Sequence, residues 1–161
     1  MNKIKLLLVE SDDHTVFLIK NSLKLIGPYE IHVAPNGKKG LEMYESLAPD
    51  IIVTAIDLPI VDGKEMVRII REEDIHTFII FTTSYSEPKD FVEGLNSGAD
   101  AYIRKPFIAE ELDAQIRALL KRISYCNKQN MIFEGDFNPI GYFPELRIAC
   151  CIFHLNSQQV F

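Results

Sequence analysis

Continuous apolar runs are the feature that most constrains the fold of this chain. Ile4 to Val9, Ile51 to Ala55 and Phe78 to Thr82 are almost wholly apolar, without the polar alternation of a half-exposed strand. Such runs predict strands that are buried on both faces, which is typical of parallel sheets covered by helices. Ile31 to Val33 and Ala101 to Ile103 read as two shorter strands of the same kind.

Helical patterns separate these strands. One places Val16, Ile19, Leu23 and Ile26 on a single face and stops at Gly27-Pro28, where a helix is expected to end. The other predicted helix faces are Leu41-Tyr44-Leu47, Val67-Ile70, Phe91-Val92-Leu95 and Leu112-Ile116-Leu119-Leu120-Ile123. Five strand–helix units with short connections predict an α/β fold, a flavodoxin-like doubly wound sheet of five parallel strands in the order 2-1-3-4-5.

Length and composition fit one such domain with chain left over. The chain has 161 residues, of which 47% are hydrophobic, enough for a full core. We predict a domain over residues 1–122 and a short β-rich C-terminal extension over 123–161. The first apolar run is too short for a signal peptide or a membrane span, and the three cysteines have no metal-ligand spacing. A reduced, cytoplasmic setting is therefore expected, without a membrane partner.

The segment from Pro49 to Gly63 resembles a known phosphorylation site. It has Pro-Asp, a buried strand, and then Pro59 and Asp62-Gly63 in a turn. This is similar to the third strand and following loop of response regulator receiver domains (CheY-like), in which an aspartate accepts a phosphoryl group. Ala55 stands at the acceptor position, so the resemblance implies a degenerate site, as in a pseudo-receiver. The likeness covers about three quarters of the chain.

The acidic pocket of the family is also altered. The resemblance places its two metal-binding acids at Glu10 and Ser11, and the serine replaces one of the carboxylates. Magnesium prefers anionic oxygen ligands, so we expect weak or absent Mg²⁺ binding at Glu10, with Asp57 the other candidate ligand, and no other cofactor. Asp12 reaches this pocket only if the loop changes; the alternative is that Glu10-Ser11-Asp12-Asp13 caps a helix with acids in its first turn.

Other positions keep the residues of the family. The resemblance places a phosphate-binding hydroxyl at Thr83, a small residue at Ser84, a switch aromatic at Tyr102 and a phosphate-contacting lysine at Lys105. Lys105-Pro106 matches a Lys-Pro pair whose peptide bond is commonly cis. Without an acceptor or metal, we expect Lys105 to pair with Glu10 or Asp12.

These features predict a non-enzymatic two-component regulator that acts by protein–protein contact. The alternative is a conventional phosphorylatable transcriptional regulator represented by a fragment or by an acceptor-site mutant, although an engineered Ala55 leaves Ser11 unexplained. Asp57 is a second possible acceptor, but the turn residues place it in the loop. An FMN-binding carrier is disfavoured because the acids at 10–13 would repel the phosphate, and an aspartyl-phosphate hydrolase because Ala55 has no nucleophile.

The C-terminal extension, residues 123–161, indicates which partners to expect. Residues 133–139 and 146–148 resemble the short strands that open the winged-helix domain of OmpR/PhoB-type regulators, so DNA would be bound only through a domain missing from this chain. The alternative is a β-rich segment that packs on its own or a partner's receiver. Expected partners are a histidine kinase-like protein, another regulator, or a second copy. Ala101 and Gln115 replace an acid and a base of the family's dimer face, so we expect any homodimer to rely on apolar contacts.

Overall fold

A computed structural model describes residues 3–84 and 96–132 of the protein and shows one sheet of five parallel strands. The strands are β1 (Ile4–Val9), β2 (Tyr29–Ala34), β3 (Ile51–Ala55), β4 (Phe78–Thr83) and β5 (Ala101–Arg104). The helices of the described residues are α1 (Asp13–Ile26), α2 (Gly37–Leu47), α3 (Gly63–Glu73) and α4 (Ala109–Ile132). The strand order β2-β1-β3-β4-β5 confirms the predicted fold class.

The interior strands form the core, as their apolar sequences predict. Leu7, Val9, Ile52 and Phe81 are fully buried, and side chains of α3 such as Met66 pack with them. Both faces of a parallel sheet need this cover because its strands carry few polar side chains. The predicted helix around Phe91 lies outside the described residues.

Three helices begin at the carboxyl edge of the sheet with a capping side chain. Asp12, Asn36 and Asp62 each accept a hydrogen bond from the backbone N–H three residues ahead, starting α1, α2 and α3 respectively. Such caps satisfy an amide that the helix leaves unpaired. The capping alternative for the acidic segment after β1 is therefore what the structure shows for Asp12.

The last helix crosses the domain boundary that the sequence predicted at residue 122. Because α4 continues to Ile132, residues 123–132 are helical and the β-rich extension does not begin at 123. The chain divides into two compact units, Met1–Gln115 and Ile116–Phe161, and this division falls within α4. The predicted strands beyond residue 132 lie outside the described residues. None of the helices described is long and apolar enough to cross a membrane.

A partly buried cluster of polar side chains lies at the opposite end of the sheet, just before β4. Asp74 accepts hydrogen bonds from the hydroxyls of Tyr44 at 2.7 Å and Thr77 at 2.5 Å, and from the backbone N–H of His76 at 2.6 Å. Burial would raise the pKa of Asp74, but these hydrogen bonds outweigh it and lower the pKa to about 2. Burial and the Asp74 carboxylate raise the pKa of Tyr44 to about 12.

Arg71 joins α3 to the segment that precedes β5. Its guanidinium donates to the carbonyl of Gly98 at 2.8 Å and to the carboxylate of Asp100 at 2.9 Å. Asp100 also accepts the backbone N–H of Ile79 at 2.8 Å. Gly98 has a φ of 103°, and a Cβ there would lie 2.7 Å from Cγ of Arg71, so a glycine is needed at this approach.

Candidate functional site

The acceptor position lies at the carboxyl end of β3, under a tightly folded loop. Ala55 is only 4% exposed. The N–H of Gly63 donates to the carbonyl of Ile56 at 2.8 Å, and a Cβ at Gly63 would lie 2.1 Å from the carbonyl oxygen of Ala55. The loop therefore closes directly beside the position where the family has its aspartate, and that position presents a methyl group.

Glu10 follows β1 and is the buried acid of this edge. One carboxylate oxygen accepts the backbone N–H groups of Ser11 and Asp12 at 3.0 and 3.1 Å. The other lies 2.5 Å from Nζ of Lys105. The Glu10 side chain is 4% exposed and that of Lys105 is 23% exposed, so the ion pair is largely shielded from water. Of the two counter-charges predicted for Lys105, the structure has Glu10.

Lys105 is held by its backbone as well as by its side chain. Its N–H donates to the carbonyl of Thr83 at 2.7 Å, which joins the loop after β5 to the end of β4. The Lys105-Pro106 peptide bond is cis, as the family resemblance implied. Thr83 is buried, whereas Ser84, the residue after β4, is exposed.

Tyr102 lies in β5 with its ring turned toward the interior. The ring packs against the main apolar cluster, and the hydroxyl oxygen is buried. The resemblance assigns Tyr102 the role of a switch aromatic that turns inward on activation. Tyr102 therefore takes the inward position in a domain that has no acceptor carboxylate at Ala55.

Ser11 and Asp12 do not complete an acidic pocket. Ser11 is exposed and contributes its backbone N–H to Glu10. The carboxylate of Asp12 accepts from the hydroxyl of Thr15 at 2.5 Å and from its N–H at 2.8 Å, and these hydrogen bonds lower the pKa of Asp12. Asp12 is thus used at the start of α1.

These residues do not fit the magnesium site that the family implies. The three positions at which the family has carboxylates are occupied by Glu10, Ser11 and Ala55. Only Glu10 is an acid, and its oxygens already contact Lys105 and two backbone amides. A lysine ammonium at 2.5 Å from Glu10 opposes a second cation there. Within residues 3–84 and 96–132, no three His, Cys, Asp or Glu side chains form a group that could hold a metal ion.

Asp57 lies beyond β3 in the loop, as the turn residues predicted. Its side chain is exposed at an open depression of about 330 Å³. The depression is lined by Ile56, Asp57, Asp62, Lys64, Glu65 and Arg68. Asp57 thus lies on the side of the loop that faces α3, among both acidic and basic side chains.

One residue of this loop was not singled out by its sequence. Ile60 has a φ of 73° and is 76% exposed, an unusual combination for a β-branched residue. The only sequence signal is its place between Pro59 and Asp62-Gly63, which indicates a turn but not which residue takes the left-handed conformation.

Comparisons with known proteins agree with the fold and identify the family. Residues 6–117 match the family described as the response regulator receiver domain. The chain belongs to this family. The receiver is 39% identical over 125 residues to the transcriptional regulatory protein TrcR of Mycobacterium tuberculosis, covering 78% of this chain and 48% of that protein. It is 36% identical over 122 residues to the alkaline phosphatase synthesis transcriptional regulatory protein PhoP of Bacillus subtilis, covering 76% and 50% respectively.

Solved structures give the same result. The receiver domain of the Francisella response regulator 1452 superposes with a TM-score of 0.71 at 30% identity, covering 75% of this chain and 99% of that one. A further relative by sequence, the probable transcriptional regulator ycf27 of Cyanophora paradoxa, is 32% identical over an alignment that covers 100% of this chain and 63% of that protein. The chain therefore spans about half the length of TrcR and PhoP, and somewhat more of ycf27.

Proposed function

We propose that this receiver is a two-component regulator whose output depends on protein–protein contact and not on phosphorylation at the usual position. The observation that carries the proposal is Ala55, a buried methyl group at the end of β3 where the family has its acceptor. An aspartyl phosphate needs a carboxylate nucleophile, and alanine supplies none. The domain has no catalytic residue in this proposal and is not an enzyme.

The Glu10–Lys105 pair supports the same proposal. In phosphoryl transfer the protein chiefly positions groups and offsets charge, with a metal ion doing much of the second task. Here Nζ of Lys105 lies 2.5 Å from the Glu10 carboxylate, so each of these two charges is offset by the other without metal or phosphate. We infer weak or absent magnesium binding, and a switch held with Tyr102 inward.

The relatives suggest what the receiver serves. TrcR, PhoP and ycf27 are named as transcriptional regulators, and each is longer than this chain. We infer that the receiver regulates transcription together with a DNA-binding domain beyond the described residues. The match to ycf27 across the whole chain favours the interpretation of residues 133–161 as the start of a winged-helix domain. A conventional phosphorylated regulator is the second candidate, favoured by the retention of Thr83 and Lys105.

Restoring the missing carboxylates tests the proposal. The chain as it stands should give the same amide NMR spectrum with and without beryllofluoride and magnesium. Ala55→Asp should respond weakly, because Ser11 still withholds a ligand and Glu10 remains paired. Ala55→Asp combined with Ser11→Asp should bind magnesium and shift the amides of the carboxyl edge.

Two controls sharpen this experiment. Ser11→Asp without Ala55→Asp should not respond to beryllofluoride, which separates metal binding from acceptor chemistry. A response of the unaltered chain would overturn the proposal, and mass spectrometry after acetyl phosphate treatment would then locate the acceptor, with Asp57 the first position to check. A full response from Ala55→Asp would show that Ser11 matters little.

A further inference from the structure

One long edge of the sheet is formed by β2, which has a neighbouring strand on one side only. Among the residues that the structure describes, β2 pairs with β1 and with no other strand. The carbonyl of Pro28 accepts the N–H of Ile4 at 2.8 Å. The carbonyl of Ala34 accepts the N–H of Glu10 at 3.0 Å. The even-numbered residues of β2 therefore direct their backbone groups toward β1.

The odd-numbered residues of β2 direct their backbone groups outward. Successive residues of a strand point their N–H and C=O groups to opposite sides, so Ile31 and Val33 present theirs to the open edge. Both residues are partly exposed. Pro35 follows the strand and has no N–H, which confines further pairing to β2 itself. An edge of this kind is a template for another strand.

Glu30 and His32 lie side by side on one face of this edge strand, because alternate residues share a face. Their side chains are 49% and 29% exposed, and Nε2 of His32 lies 3.0 Å from a carboxylate oxygen of Glu30. Charged side chains of one sign commonly keep edge strands apart. Here an acid and a histidine flank Ile31, so the sequence Glu-Ile-His complements itself when a second copy runs in the opposite direction.

We propose that β2 is the interface of a homodimer in which two copies pair antiparallel about a twofold axis at Ile31. Each Ile31 donates its N–H to the carbonyl of the partner's Ile31, and each Val33 donates its N–H to the carbonyl of the partner's Tyr29. These backbone hydrogen bonds join two five-stranded sheets into one continuous sheet. The inference goes beyond the proposed function, since neither Ala55 nor Lys105 takes part.

The side chains favour this register over its neighbours. Glu30 lies opposite the partner's His32 in both halves of the interface, in pairs without hydrogen bonds, where opposed side chains approach most closely. An axis at His32 would instead place the two histidines opposite each other and leave Glu30 opposite Ala34. On the other face, Ile31 meets its own copy, which adds an apolar contact. The twofold axis uses both open edges, so the assembly closes at two copies.

Cysteine cross-linking of the full chain tests the register. Ile31→Cys should form a disulfide with its own copy under mild oxidation, because opposed residues of a hydrogen-bonded pair have Cα atoms about 5.5 Å apart. His32→Cys is the matched control and should not link to itself, since diagonal positions lie about 7–8 Å apart. Mass spectrometry of the linked peptides separates this bond from any that Cys126, Cys150 and Cys151 form.

Charge reversal tests the part played by the side chains. His32→Glu places acids opposite acids and should raise the dimer dissociation constant at least about tenfold, as measured by sedimentation equilibrium. Glu30→Lys should also weaken the dimer, because a lysine then lies opposite a histidine. An equal mixture of the two variants should restore dimers, since each basic side chain again faces an acid. His14→Glu and Glu72→Lys are the charge-matched controls at exposed positions and should leave association unchanged.

Several results would overturn the proposal. They are a chain that stays monomeric at every concentration, an Ile31→Cys variant that forms no link to its own copy, and a mixture of the two charge variants that does not associate. Linking of His32→Cys to itself would overturn the register. The phosphorylation experiment uses neither cross-linking nor sedimentation, so its failure is distinguishable from failure here.

Discussion

The carboxylate of Glu10 uses both of its oxygens within the protein. Two backbone amides approach one oxygen and the ammonium of Lys105 approaches the other. Removing one partner of a shielded ion pair leaves a charge without compensation, which costs more than losing a surface pair. The stability of this edge therefore depends on a lysine that the family resemblance assigns to phosphate binding.

Lys105→Met tests this dependence. We expect the free energy of unfolding to fall by about 2 kcal/mol, less than for a fully buried pair because Lys105 is partly exposed. Glu10→Gln should cost less, since the amide oxygen can still accept from the backbone and Lys105 can turn to water. Urea denaturation measures both.

The control for this substitution is Lys39→Met. Lys39 forms an exposed pair with Glu42 at 2.9 Å on α2, and such surface pairs contribute little to the free energy of unfolding because water and salt screen them. Equal losses for the two lysine variants would mean that the Glu10–Lys105 pair has no special part in stability.

At the scale of elements, Asp74 ties the end of α3 to α2 and to the start of β4. Its pKa of about 2 lies below the ordinary 3.8. The folded protein therefore holds the charged carboxylate more favourably than the unfolded chain does. This contribution is complete above the unfolded pKa and is lost as the pH falls toward the folded pKa.

Asp74→Asn should accordingly flatten the acid limb of the stability curve. Between about pH 4 and pH 2, the urea midpoint of the unaltered chain should fall more steeply than that of the variant. Glu72→Gln is the control, because Glu72 is an exposed acid on the same helix. An acid limb of the same steepness in Asp74→Asn would show that other carboxylates govern acid unfolding.

Local elements were predictable where the signals are local. The apolar runs predicted all five strands, and Gly27-Pro28 marked the residue at which α1 ends. The Asp74 cluster and the buried hydrogen bond from Tyr29 to Asp113 at 2.6 Å were not predicted. Each joins polar residues that are distant in the chain, and no periodic pattern records which of them meet.

The site was predictable to a similar extent. Family resemblance identified Glu10, Ala55 and Lys105 as positions of one pocket, and charge suggested that the lysine would take an acid as its partner. The choice between Glu10 and Asp12 required the loop geometry, since Asp12 caps α1. The strain at Ile60 was hidden because a turn motif does not specify the φ of each residue.

At the scale of the whole molecule, the sequence allows a prediction about self-association. Ala101 and Gln115 stand where the family pattern has an acidic and a basic residue. Ion pairs at an interface rim set register more than affinity. We predict that any homodimer persists at high salt, because apolar contacts replace those pairs, including contacts from the apolar stretch at 148–155.

Light scattering at low and high salt, on the full chain and on residues 1–132, measures this. The shorter form ends with α4, whereas a cut at 122 would divide that helix. A dimer of the shorter form that dissociates with added salt would contradict the prediction and would show that an ion-paired face remains.

The span of the Glu10–Lys105 contact also affects how the protein is made. The two residues are separated by 95 positions, and β1 lies between β2 and β3 in the sheet. During translation Glu10 is made well before Lys105, and a domain generally folds as a unit once its chain has been made. The Glu10–Lys105 contact can therefore close only after β5 has emerged from the ribosome, so the carboxyl edge of the sheet is completed late in synthesis. Truncated translation products would display that acidic edge without its cation, which marks them as distinct from finished chains.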